Sequence, residues 1–292
     1  MGEKLAEIVK VFSENPMFTV DDKLFDFQKR PDSNLYLPRV DYDKLTEFYG
    51  LPKNDFREQV AVLVNPEELT AKKPNYRINW ITSVDVRAAN ARKYFGDTEP
   101  FFQLAAGGIT TTGDKQVLLG VRGGEITPER IQQYASGLWG LAPGGSVTFK
   151  PKYDTDPIID TLRNEFHEEL GNFEITHCKP IGICNAYRPG PTGIKFFGEI
   201  RTDATLRQIQ ETNINGNKLW KNLKSKGAKK EEIEEEMKRM NLPIDAWEHN
   251  PLVGIPNDSD SIRAFLAQPQ IFAGICVGPL ELYLEYLRLQ RQ

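Results

Sequence analysis

The sequence predicts an α/β protein in which a small α/β unit, residues 1–98, precedes a larger one at 99–292. Three observations carry this. Strand-like and helix-like runs alternate along the chain. A polar, turn-rich segment, Gly96-Asp-Thr-Glu-Pro100, separates two such series. An apolar run ending in Pro143-Gly-Gly145 leads, after a loop, into a helix closed by Gly171. Alternation of this kind supplies sheets with covering helices, and Gly/Pro clusters mark where chains turn. With 292 residues, 39% of them hydrophobic, a sizeable core is expected.

The elements follow in order. Leu5, Ile8, Val9 and Phe12 recur at helical spacing and predict one apolar stripe. Asp43 is placed to cap a short helix to Tyr49, stopped by Gly50 and Pro52. Residues 60–64 read as a buried strand, 76–81 as an alternating one and 84–95 as a helix. In the larger unit, 103–112 and 115–122 form a hairpin about Gly113-Asp114. Thr127 caps a short helix with Pro128 in its first position. Residues 138–141 are a short strand. A helix over about 156–170 stops at Gly171, which suits the left-handed conformation after a helix end. Strands at 175–187 and 192–200 flank the turn Arg188-Pro-Gly-Pro191. Residues 203–242 form a helical insertion whose 224–239 segment reads as a solvated helix with internal charge pairs. Leu280, Leu284 and Leu287 predict a closing helix.

Charge narrows the function. A net charge of -4 gives no general attraction to nucleic acid or to acidic membranes, so neither is expected as a partner. A polyanionic substrate must then meet local positive charge or a metal. Three cysteines are too few for a disulfide framework, and His167, His177 and His249 are scattered, which argues against a structural zinc. The first residues carry no secretory pattern, and the longest apolar-looking stretch, 271–284, is too short to span a bilayer. A cytoplasmic location is expected.

The chemistry concentrates at one helix. Glu165, Glu168 and Glu169 stand at i, i+3 and i+4 and share one face. Crowded carboxylates repel unless a cation sits among them, and the next turn, Leu170-Gly171, brings none. The arrangement suits a hard divalent ion, Mg²⁺ first and Mn²⁺ as its substitute. Ile158, Ile159, Leu162 and Phe166 on the adjoining stripe would dock the helix on a sheet. Taken alone, such a cluster also reads as a plain acidic surface helix. The Pro-Gly-Gly turn directly after a Trp-containing strand weighs against that.

These stretches resemble the box of the Nudix hydrolase superfamily, G-x5-E-x7-R-E-U-x-E-E-x-G-U, with U aliphatic. Gly145 matches the first glycine, Glu165 the glutamate after the arginine, Glu168 and Glu169 the pair, and Gly171 the last glycine; Phe166 fills the apolar position. The resemblance covers roughly residues 101–200. It departs at Asn164, which replaces the arginine, at a loop longer by five residues, and at Asn172, which replaces the last aliphatic residue. Arg163 with Asp156 or Asp160 is a candidate substitute for the lost brace between loop and helix.

The resemblance implies an α/β/α sandwich with a mixed sheet behind the small N-terminal α/β domain. It implies a metal-dependent hydrolase that cuts a phosphoanhydride in a nucleoside diphosphate linked to another moiety, such as a nucleotide sugar. Glu168 and Glu169 would hold the metal with the carbonyl of Gly145, and Glu165 would be a third ligand or the catalytic base. Glu199 and Glu248 are the other base candidates, because some family members take the base from a later loop. Arg122 and Arg188 are candidate phosphate contacts and Tyr187 a candidate substrate contact, with Phe196 and Trp139 as further aromatic residues that either stack on a base or fill core. The partner is a small nucleotide, with the N-terminal unit completing either the pocket or a homodimer interface. Two alternatives stand beside this reading: a relative that binds a nucleotide without cutting it, and an RNA-end (cap) pyrophosphohydrolase clamping RNA with residues 221–230.

Overall fold

Helices lie on both faces of a mixed sheet in the computed structural model, which describes residues 6–24, 59–63, 68–69, 71–82, 104–123, 137–148, 156–186, 194–268 and 274–291. In chain order these contain β1 (Ala6–Val11), β2 (Met17–Leu24), β3 (Gln59–Leu63), β4 (Asn75–Thr82), β5 (Leu104–Thr111), β6 (Gln116–Arg122), β7 (Trp139–Leu141) and β8 (Gly144–Ser146). There follow α1 (Pro157–Glu169), β9 (Ile175–Ala186), β10 (Ile194–Thr202), α2 (Leu206–Ser225), α3 (Lys230–Arg239), β11 (His249–Pro256), α4 (Ser259–Leu266) and α5 (Gly274–Gln290).

The main sheet runs β1-β9-β10-β5-β6-β11, with β7 paired to β6 and β8 to β5. β10 and β5 are parallel, and the other neighbours along the path are antiparallel. Strand alternation divides the core between the two faces. On β10, Phe196 and Ile200 join Ile158, Leu162 and Phe166 of α1, while Phe197 joins Leu280, Leu282 and Tyr283 of α5. The result is the α/β/α sandwich with a mixed sheet. Among the described residues, no helix is long and apolar enough to cross a membrane.

Of the stripe expected on a helix, Leu5 lies outside the described residues, while Ile8, Val9 and Phe12 belong instead to strand β1 and the residue after it, and β1 pairs with β9 at the sheet edge. Ile8 and Val11 pack toward α5, whereas Val9 and Phe12 pack toward α1. A strand buried on both faces shows no polar alternation, so its spacing mimics a helix. A second, three-stranded sheet, β2-β4-β3, lies on the α1 side. There the Ala61 N–H donates to the Val147 carbonyl at 2.8 Å, and Tyr76 meets Phe196 edge-on at 5.1 Å between ring centroids.

The hairpin about Gly113-Asp114, the two strands before and after residues 188–191, the insertion helices α2 and α3, and the closing helix α5 all form as expected. β2, β11 and α4 were not expected. The helices anticipated at 43–49, at 84–95 and after Thr127, the boundary at 96–100 and the turn at 188–191 lie outside the described residues.

Candidate functional site

Helix α1 begins where Asp156 accepts hydrogen bonds from the Ile158 and Ile159 N–H groups at 2.9 and 2.8 Å, with Pro157 in the first turn. It ends at Gly171, whose φ of +120° few side chains tolerate. Ile158, Leu162 and Phe166 are fully buried against the sheet. At roughly 1.5–3 kcal/mol per buried apolar side chain, they anchor the helix on the sheet.

That stripe faces a turn stitched to β5. Gly144 and Gly145 pair with Gly107 and Ala106, and the Gly108 N–H donates to the Pro143 carbonyl at 2.7 Å. The Gly144 N–H donates to Glu169 Oε1 at 3.0 Å, which fixes that carboxylate. A Cβ on Gly145 would fall on the Glu165 carboxylate, so the absence of a side chain there makes room for the acid. Burial, then the charges of Glu169, Glu168, Glu248 and Asp245, push the Glu165 carboxyl up to about 9. Glu168 is raised by burial and then by Asp245 and Glu169. The helix spacing therefore does gather the acids.

The other wall comes from residues 245–249. Helix α2, capped by Thr205 and Gln208, presents the buried Asn213 and Asn217, which donate to the Ala246 carbonyl at 3.1 and 2.9 Å. The Asp245 N–H donates to the Glu168 carbonyl at 2.8 Å, tying this wall to α1. Glu248 stands next, raised to about 7 by burial and Glu169 against the pull of Arg122, which it meets at 3.2 Å. Then His249, wholly buried, brings Nε2 to 3.1 Å from Glu169 Oε2. Neither atom makes a hydrogen bond. Unpaired buried polar groups cost about 1–3 kcal/mol each.

One ligand atom each from Glu169, Glu248 and His249 lies within 4.8 Å of the others. These residues fit a divalent cation: the buried Glu169 carboxylate, the half-buried Glu248 carboxylate, an imidazole, and two donor atoms that no other described group satisfies. Glu165 and Glu168 are neighbours of this set but not members of it. Arg122 closes the margin through its pair with Glu248. Arg188 and Tyr187 lie outside the described residues.

The other candidates are dispersed. Glu199 is buried on the α5 face, held by Arg201 at 2.9 Å and near the Tyr283 and Tyr286 hydroxyls, so strand alternation sets it across the sheet from α1. Phe196 is core, and Trp139 packs edge-on against Phe265 at 6.0 Å. Arg163 acts on Asp156, whose carboxylate is committed to the helix cap. Residues 221–230 carry local contacts, Lys224 over Trp220 and Lys230 with Glu234.

Sequence reasoning passed over His249 as one of three scattered histidines. Its partner Glu169 is distant in the chain, and the gap is closed by the β6–β11 pairing, Arg122 opposite His249, together with the Asp245 N–H bond to the Glu168 carbonyl. The one signal was Gly120, where a Cβ would meet the His249 ring at 2.8 Å.

No family model and no curated protein matches the chain. Solved structures do. A MutT protein from Methanosarcina mazei Go1 is similar over 67% of this chain and 100% of its own, at 11% identity and a TM-score of 0.37. A bifunctional NMN adenylyltransferase/ADP ribose pyrophosphatase from Francisella tularensis, complexed with AMP and a Mn ion, is similar at 14% identity and a TM-score of 0.36; the match covers 70% of this chain and 49% of that one, about half its length. The Nudix domain of Shewanella oneidensis NrtR, complexed with ADP ribose, is similar at 14% identity and a TM-score of 0.32 over 69% of this chain and 98% of its own. Likeness at this level leaves the chemistry to the chain's own residues.

Proposed function

We propose that this chain is a metal-dependent hydrolase of the Nudix type, cutting a phosphoanhydride bond in a nucleoside diphosphate linked to another moiety. The observation that carries the reading is the convergence of the buried Glu169 and the half-buried Glu165, Glu168 and Glu248 beside the Gly144-Gly145 turn, with the Glu165 and Glu248 carboxyls pushed well above their ordinary range. Strongly shifted acids gathered in one place are a mark of functional sites. The cluster is costly to fold without a cation, and a polyanionic substrate needs one too.

Glu169 would hold the ion, and Glu168 and the Gly145 carbonyl, which border the group of Glu169, Glu248 and His249, would complete its shell. A bound Mg²⁺ or Mn²⁺ supplies neutralisation of the phosphates and a more acidic water. Glu165 would take the proton from the attacking water once a bound cation has drawn its carboxyl back down from about 9. Arg122 leaves Glu248 to meet a phosphate oxygen, a charge-assisted contact suited to its planar fork. Arg188 and Tyr187 complete the substrate contacts.

The test is a panel of nucleotide sugars, dinucleotides, nucleoside triphosphates and capped RNA, incubated with Mg²⁺ or Mn²⁺ and resolved by product. We expect a nucleoside monophosphate from one class of diphosphate. E169Q should lose at least about a hundredfold in kcat/KM, the scale of a lost electrostatic group. Tight nucleotide binding with no product anywhere would make the protein a sensor instead. Near-normal turnover by E165Q would move the base to Glu248.

A further inference from the structure

The acidic cluster contains a nitrogen donor that an all-oxygen magnesium site does not need. His249 sits at the first position of β11, wholly buried, with Nε2 at 3.1 Å from Glu169 Oε2 and neither atom hydrogen-bonded. Two donors at right angles on an ion with bonds of about 2.1–2.2 Å stand about 3.0–3.1 Å apart. The observed separation matches that of neighbouring ligands on one octahedral ion. Glu248 supplies the third donor within 4.8 Å.

The ring is held where it is by its surroundings. Gly120 leaves room for it, since a Cβ there would stand 2.8 Å from its Cβ and Nδ1. The backbone on either side is fixed by the pairing of His249 with Arg122 and by the Gly123 N–H donating to the Glu248 carbonyl at 2.6 Å. The imidazole is wholly enclosed, and its Nδ1, like its Nε2, has no hydrogen-bond partner among the described residues.

We infer that His249 Nε2 is a ligand of the metal, and that the site formed by Glu169, Glu248 and His249 selects a first-row transition ion over Mg²⁺. This rests on the metal-dependent reading above and deepens it. Imidazole nitrogen suits the transition ions, whereas Mg²⁺ takes oxygen and keeps its waters. The protein then draws Mn²⁺ or a later ion from a mixture in which Mg²⁺ is far more abundant.

The experiment uses the full chain, stripped of metal and titrated with Mn²⁺ and, separately, Mg²⁺ by calorimetry, followed by pulsed electron paramagnetic resonance of the Mn²⁺ complex. We expect Mn²⁺ to bind at least about tenfold more tightly than Mg²⁺, with ¹⁴N modulation from a directly bound imidazole. H249Q, which puts an oxygen donor in reach, should lose the modulation and most of the preference while keeping Mg²⁺ affinity within about threefold. If H249Q does not fold, the wild-type spectrum decides alone. A Mn²⁺ complex without ¹⁴N coupling overturns the inference even if the protein hydrolyses nucleotides. Coupling without hydrolysis of any substrate upholds the inference and removes the proposed activity.

Discussion

At Gly145 the backbone and the Glu165 carboxylate compete for one volume, so a methyl group there has a defined consequence. The atom it would displace is the end of a flexible side chain, which moves cheaply. G145A should therefore alter stability by less than about 1 kcal/mol while moving Glu165 out of the cluster. Divalent-ion affinity measured by calorimetry should fall about tenfold, on the scale of a lost supporting contact. Unchanged affinity would separate Glu165 from the ion. At this scale the sequence was informative where spacing is local. Glu165, Glu168 and Glu169 were legible because helix geometry brings i, i+3 and i+4 together. His249 was not, because nothing near it in the chain announces Glu169.

Within single elements, the period of the side chains decides what each residue meets. On β10 the alternation sends Phe196 and Ile200 to α1 and Phe197 and Glu199 to α5. Glu199 accepts from Arg201 Nε and Nη2 at 3.1 and 2.9 Å and works as a bolt between strand and closing helix. E199Q should keep turnover within about twofold of wild type but lower stability by about 1–3 kcal/mol, read from denaturant unfolding. A hundredfold loss of turnover with unchanged stability would return Glu199 to the list of bases. The same logic explains β1. Its apolar spacing fits a helix stripe and a doubly buried strand equally well, and only a partner strand, β9, distinguishes them.

For the whole molecule, the acid cluster links folding to pH. The Glu165 and Glu248 carboxyls rise from 4.5 to about 9 and about 7 on folding. A raised carboxyl favours the folded state while protonated. That contribution is complete below the unfolded value and is lost as pH climbs through about 7 and then about 9. Metal-free protein should thus be most stable in weak acid and lose on the order of a few kcal/mol by pH 9. Thermal unfolding in chelator at pH 5.5, 7 and 9 checks this, and E165Q should flatten the slope. Saturating Mn²⁺ should restore most at the alkaline end, where the carboxylates it meets are ionised. A flat profile would mean that the acids are solvated and the site is no trap for cations. By itself the sequence determined β5, β6, β9 and β10 at the centre of the sandwich, the insertion and closing helices, the helix that carries the three glutamates and the glycine turn before it, since all follow from short-range periodicity and backbone preference. Only the tertiary structure decided that β1 is a strand, that Glu199 faces away, and that the insertion helices deliver Glu248 and His249 to Glu169. Those facts depend on which distant strands pair, and pairing is set by the burial of the whole chain rather than by any local pattern.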